Sequence, residues 1–185
     1  MTLFVVEGKS DKVFLEQYIY CKNSTFEYEI IENGNNNLQD STLTQIKKAL
    51  DKNNRVCIIF DADLDCNQTR QSIENKIRNY KDMVEIFLFP DNKNKGNLET
   101  LLSDIAKYKE IIECFEKYVK CLESHSKHFA DNIYKKSKMY AYREASGLEK
   151  NMKSNKNALN KDIFSQYFDF DSPYLQPLHS FIFNL

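Results

Sequence analysis

The sequence predicts an α/β protein, with a mostly parallel four-stranded sheet flanked by helices and a helical C-terminal extension. Three observations predict it. Short apolar runs alternate with segments of helical spacing over residues 1–100. Such alternation implies crossover connections, which are right-handed and pair strands in parallel. Three of the four glycines (Gly8, Gly34 and Gly96) follow expected strands, at the sheet edge where open α/β folds bind ligands.

The first element is LFVV, residues 3–6, a short buried strand that runs into Glu7 and Gly8. Ser10 or Asp11 then opens a helix whose apolar face carries Val13, Phe14 and Tyr18. FEYEII, 26–31, alternates weakly as a second strand and stops at ENGNNN. Residues 41–53 have helical spacing. VCIIF, 56–60, is the core of a third strand, spanning 55–60. Ile73 and Ile77 mark a helix over 67–80, and MVEIFLF, 83–89, is a fourth strand closed by Pro90. From residue 97 the spacing is helical, in LETLLSDIA and again over 108–123; the segment 163–183 is aromatic. The division expected is residues 1–105 as an α/β domain and 106–185 as a helical extension packed back upon it.

Composition narrows the function classes. The net charge of -1 neither favours nor excludes nucleic acid, and the apolar content is that of a folded chain. The five cysteines form no C-x-x-C pair and read as reduced thiols, which predicts a cytoplasmic protein. No segment has the length and apolarity of a membrane span.

The chemistry concentrates where the third strand ends in Asp61, Asp63 and Asp65. Carboxylates side by side repel, and a divalent cation relieves that repulsion. On an extended strand Asp61 and Asp63 point to the same side. If the first and third strands are neighbours, Glu7 joins them. An oxygen-only donor set suits Mg²⁺ or Mn²⁺, and a metal so held can clamp a phosphate and activate water.

In its order of motifs the chain resembles the Toprim family, most closely the OLD-nuclease-like and small stand-alone Toprim proteins. The resemblance rests on strand-E-G-x-x-D (Glu7, Gly8, Asp11), strand-G (Gly34) and strand-D-x-D (Asp61, Ala62, Asp63). It implies that Glu7 serves as general acid or base or as a metal ligand, and that Asp61 and Asp63 coordinate Mg²⁺. By the same resemblance FPDNKNKGNLETLL, 89–102, makes Glu99 a further residue near the metal. Lys9, beside Glu7 and Gly8, is placed to meet a phosphate. The sequence departs from some Toprim families in running DLDCNQ after the first aspartate, without a nearby glycine, and the chain lacks the length for strand-passage domains.

D-x-D also occurs in haloacid-dehalogenase-like phosphatases, where it sits on the first strand, and in longer nucleotide-sugar transferases; a receiver domain would need an acidic pair after strand one. Segment 127–161 holds nine Lys or Arg against three Asp or Glu, with Tyr134, Tyr140 and Tyr142 interleaved. Lys135, Lys136, Lys138 and Arg143 are its candidate phosphate contacts, with a solvated helical face and buried tyrosines as the structural alternative. His125, His128 and His179 supply no metal set and read as surface or packing residues. The function expected is Mg²⁺- or Mn²⁺-dependent phosphodiester hydrolysis on DNA or RNA, in defence or repair. The alternative is a non-catalytic Toprim-like module that binds nucleic acid or a protein partner. Under either reading the partners expected are nucleic acid and a protein, which includes a second copy of the chain.

Overall fold

The computed structural model describes residues 1–126, 135–154 and 163–183. Its centre is a four-stranded, wholly parallel sheet of order β2-β1-β3-β4. The strands are β1 (Thr2–Val6), β2 (Tyr28–Glu32), β3 (Arg55–Asp61) and β4 (Val84–Phe89). The two inner strands, TLFVV and RVCIIFD, are the most continuously apolar and are buried on both faces, as parallel strands covered by helices must be.

Helices cover both faces. On one side α2 (Asp40–Asp51) and α3 (Cys66–Lys76) bury Ile46, Ala49 and Ile73 against Leu3, Val5, Ile58 and Leu88. The other side is thicker. There α1 (Lys9–Lys22) and α4 (Leu98–Asp104) pack on Phe4, Val6, Ile59 and Phe89. The later segments join the same apolar cluster: α5 (Lys109–His125), α6 (Lys135–Ala145), α7 (Leu148–Ser154), two 3₁₀ turns at Ile163–Gln166 and Pro173–Leu175, and α8 (Gln176–Phe183). Each fully buried Phe or Tyr there, such as Phe14, Tyr142 or Phe168, contributes on the order of 2 kcal/mol of transfer free energy.

The C-terminal extension therefore shares the core of the α/β part. The Arg55 guanidinium shows how it is tied down. It forms a two-pronged bond with Glu85 at 2.7 Å and donates to the carbonyls of Phe181 and Ile182 at the end of α8. Tyr142 donates to the carbonyl of Tyr167, and Asp169 N–H donates to the carbonyl of Ile105 at 2.7 Å. These bonds hold α6 and the aromatic segment over α4. His179 is a packing residue, with Nδ1 3.1 Å from the Tyr18 hydroxyl. All five cysteines are free thiols. Among the described residues no helix is long and apolar enough to cross a membrane.

Candidate metal and phosphate site

The pairing of β1 with β3 brings Glu7 and Asp61 together at the C-terminal edge of the sheet. Glu7 Oε1 accepts the Asp61 backbone N–H at 2.9 Å. Asp61 Oδ1 in turn accepts the N–H of Leu98, the first residue of α4, at 2.9 Å. A third acid stands beside them. Asp11, in the first turn of α1, accepts the Gly8 N–H at 2.9 Å and is buried. Each carboxylate is thus held by a backbone donor at the point where a strand gives way to a helix.

The electrostatics follow from this crowding. Burial pushes Glu7 up to about 7, with Asp11 and Asp63 adding repulsion while the Asp61 N–H and Lys136 favour its charged form. Burial likewise pushes Asp61 up to about 8, assisted by Glu7, Asp11 and Glu99 and opposed by the Leu98 N–H. Asp11 is raised too, chiefly by burial, with repulsion from Glu99 and attraction to Lys136. A set of carboxylates that resists full ionisation is one that a cation would stabilise.

Asp63 departs from the sequence expectation. β3 ends at Asp61, so Asp61 and Asp63 are not alternate residues of one strand. Ala62 N–H still donates to the Phe89 carbonyl at 3.0 Å, but Asp63 turns into the left-handed region at φ 52°. There it exchanges two backbone hydrogen bonds with Gly96, at 2.8 and 2.9 Å. A short polar side chain tolerates that conformation. Asp63 is exposed, and Asn36 Nδ2 lies 3.5 Å from its Oδ2. Asn36 comes from the loop after β2, which the buried Asn33 side chain pins through Asn35, Asn37, Gln39 and Thr42. Asp65 is the N-cap of α3; its Oδ1 accepts the N–H groups of Asn67 and Gln68. Its carboxylate is accounted for by the helix start.

Glu99 lies in the first turn of α4, near enough to raise both Asp11 and Asp61. Lys9 begins α1 beside the Gly8 cap and is exposed. Of the basic residues in the later segment, Lys136 acts electrostatically on Glu7 and Asp11 across the fold. Lys138 is engaged elsewhere, with Glu116 at 2.9 Å. Arg143 pairs with Glu149. Tyr140 is exposed, whereas Tyr142 is a core residue. The Lys135 side chain, Tyr134 and His128 lie outside the described residues.

The oxygen donors suit a hard cation. Among the described residues Glu7 and Asp61 each accept one hydrogen bond through one oxygen, leaving Glu7 Oε2 and Asp61 Oδ2 for a ligand. Also among the described residues, no group of three or more His, Cys, Asp or Glu side chains is placed to hold a metal ion. The edge therefore offers a pair of carboxylates rather than a cage. Mg²⁺ accepts such a set, since it commonly takes one or two carboxylates and keeps several waters.

A family model for proteins of unknown function, DUF3226, matches residues 1–185. The chain belongs to the DUF3226 family. No curated protein and no solved structure matches it. Two residues of this DUF3226 chain that the sequence had named, Asp11 as a motif position and Lys136 as a candidate phosphate contact, stand at the edge for reasons that local pattern does not encode. Asp11 had been legible only as a helix cap and a motif position, since its burial beside Glu7 depends on the β1–α1 turn. The approach of Lys136 depends on α6 folding back over α4, which no local pattern encodes.

Proposed function

We propose that this DUF3226 chain is a Toprim-like, divalent-metal-dependent phosphodiesterase acting on nucleic acid. The observation that carries the reading is the Glu7–Asp61 pair. Two half-buried carboxylates meet at the C-terminal edge of a parallel sheet, each fixed by one backbone N–H and each with a second oxygen for a ligand. Mg²⁺ or Mn²⁺ bound there would supply charge stabilisation at a phosphoryl group and at the departing oxygen.

The residues of the chain have distinct roles in this reading. Asp61, and Glu7 in part, would hold the cation. Glu7, whose pKa burial pushes up to about 7 in the absence of a cation, is placed to accept a proton from water. That water's oxygen forms the new bond to phosphorus, the phosphorus–oxygen bond to the leaving strand breaks, and the leaving oxygen takes up a proton. Lys9 and Lys136 flank the edge and attract the phosphate. Asp63, exposed beside Asn36, is in reach of a second ion or of the hydration shell of the first.

One observation favours a second reading, a module that binds nucleic acid or a protein without cleaving. It is the absence of a three-donor group among the described residues. A cleavage screen separates the two. Labelled single- and double-stranded DNA and RNA are incubated with Mg²⁺, Mn²⁺ or EDTA beside an Asp61→Ala control. The catalytic reading expects metal-dependent products that the control lacks. Binding without products on every substrate, with metal bound, replaces it by the second reading.

A further inference from the structure

A cavity of about 520 Å³ opens beside the carboxylate edge. Its polar lining comes from Lys9 and Ser10 of α1, Glu99 of α4, Lys136 and Arg143 of α6, and Glu149 of α7. Its apolar lining includes Phe14, Met139, Met152, Phe164 and Phe168. Three cations thus face two carboxylates, and one of those carboxylates, Glu149, is already paired with Arg143. Among the described residues Lys9 and Lys136 form no ion pair. The Arg143 Nε is buried and has no hydrogen-bond partner among the described residues.

The two ends of the cavity differ. The end at Lys9, Leu98 and Lys136 adjoins the site, because Leu98 N–H is bonded to Asp61 and Lys136 acts on Glu7. Arg143 lies seven residues further along α6, about 10 Å by helical rise. That is the reach of one nucleotide from phosphate to base edge. The volume lies within the range of about 300–1,000 Å³ seen for small-ligand pockets, and it cannot admit a duplex.

We propose that the cavity seats one nucleotide unit at the end of a single strand. Its phosphate lies between Lys9 and Lys136, and its base lies over the apolar lining toward Arg143. The choice of a nucleotide rests on the phosphodiester reading given above. The consequence is cleavage from strand ends, so that a closed circle is a poor substrate.

The test is binding in EDTA, where no cleavage occurs. An internally labelled single-stranded DNA is compared with its circularised form by fluorescence anisotropy, with AMP, adenosine and inorganic phosphate as competitors. The linear strand should bind at least about tenfold tighter than the circle, the worth of one charge-assisted contact set. AMP should compete at concentrations where adenosine and phosphate do not. Ser10→Trp, a bulky side chain at an exposed position of the lining, should weaken the linear strand by about tenfold with an unchanged circular dichroism spectrum. Arg143→Lys, which keeps the charge and removes the planar guanidinium, should weaken AMP more than phosphate. Equal affinity for linear and circular strands, or a well-folded Ser10→Trp that binds as the wild type does, overturns the proposal. Adding Mg²⁺ to the same samples reads the functional claim separately. End-selective binding without cleavage removes the nuclease reading and leaves the seat, whereas cleavage of linear and circular strands alike removes the seat and leaves the nuclease.

Discussion

Glu7→Gln should stabilise the metal-free protein at pH 8 and leave it unchanged near pH 4. Glu7 has its pKa raised from 4.5 to about 7, chiefly by burial. A raised acid binds its proton more tightly folded than unfolded. Between those two values the native state carries more protons than the unfolded state, so stability falls as pH rises through that window. Below it both states are protonated and the group contributes nothing. Above it the native state bears a constant penalty. The full span corresponds to about 3 kcal/mol, and partial solvent access reduces this to roughly 1–2 kcal/mol. Gln keeps the oxygen that accepts the Asp61 N–H but cannot ionise, and it relieves the neighbouring Asp61, itself raised to about 8. The gain should appear in EDTA as a Tm higher by on the order of 5 °C at pH 8. Thermal melts at pH 4, 6 and 8 on both proteins measure it. A Glu7→Gln protein no more stable than wild type at pH 8 would refute the argument that clustered, ionised carboxylates destabilise the edge.

Other outcomes follow from the same geometry. Lys136→Ala should weaken nucleic-acid binding and lower the slope of log K against log salt by about one, whereas Lys138→Ala, which removes an exposed pair with Glu116, should leave that slope nearly unchanged; salt titrations of anisotropy compare them. Asp65→Ala removes the cap of α3 and should destabilise by about 1 kcal/mol while leaving Mn²⁺ affinity within twofold or so of wild type, as denaturant melts and metal titration would report. Gly96 sits at φ 146°, and an added Cβ would lie 3.0 Å from both Pro90 and Thr100; Gly96→Ala should therefore cost on the order of 2 kcal/mol and loosen the Asp63 bridge, visible as a lower Tm and faster amide exchange at Asp63.

The sheet was legible because its strands are short apolar runs separated by helical spacing, and VCIIF and LFVV admit few other fates in a chain of this composition. The adjacency of Glu7 and Asp61 was legible through the order of acidic motifs. Asp63 was misplaced because alternation assumes an extended backbone, and the exchange with Gly96 breaks that extension two residues past the strand. Asp65 has a local explanation, a helix N-cap, that its three-residue context already contained. Lys136 and the cavity depend on contacts between segments far apart in sequence, formed by Tyr142, Tyr167 and Phe168. Periodicity along one helix carries no information on such contacts.

The proposed chemistry requires a divalent cation at the Glu7–Asp61 edge. Titration of Mn²⁺ at pH 8, followed by the loss of the free-ion electron paramagnetic resonance signal, tests it most directly. Binding to the wild type should be saturable, competed by Mg²⁺ and lost in Asp61→Asn, as expected of a carboxylate-held cation. Equal Mn²⁺ binding by wild type and Asp61→Asn, or none by either at millimolar metal, would contradict it.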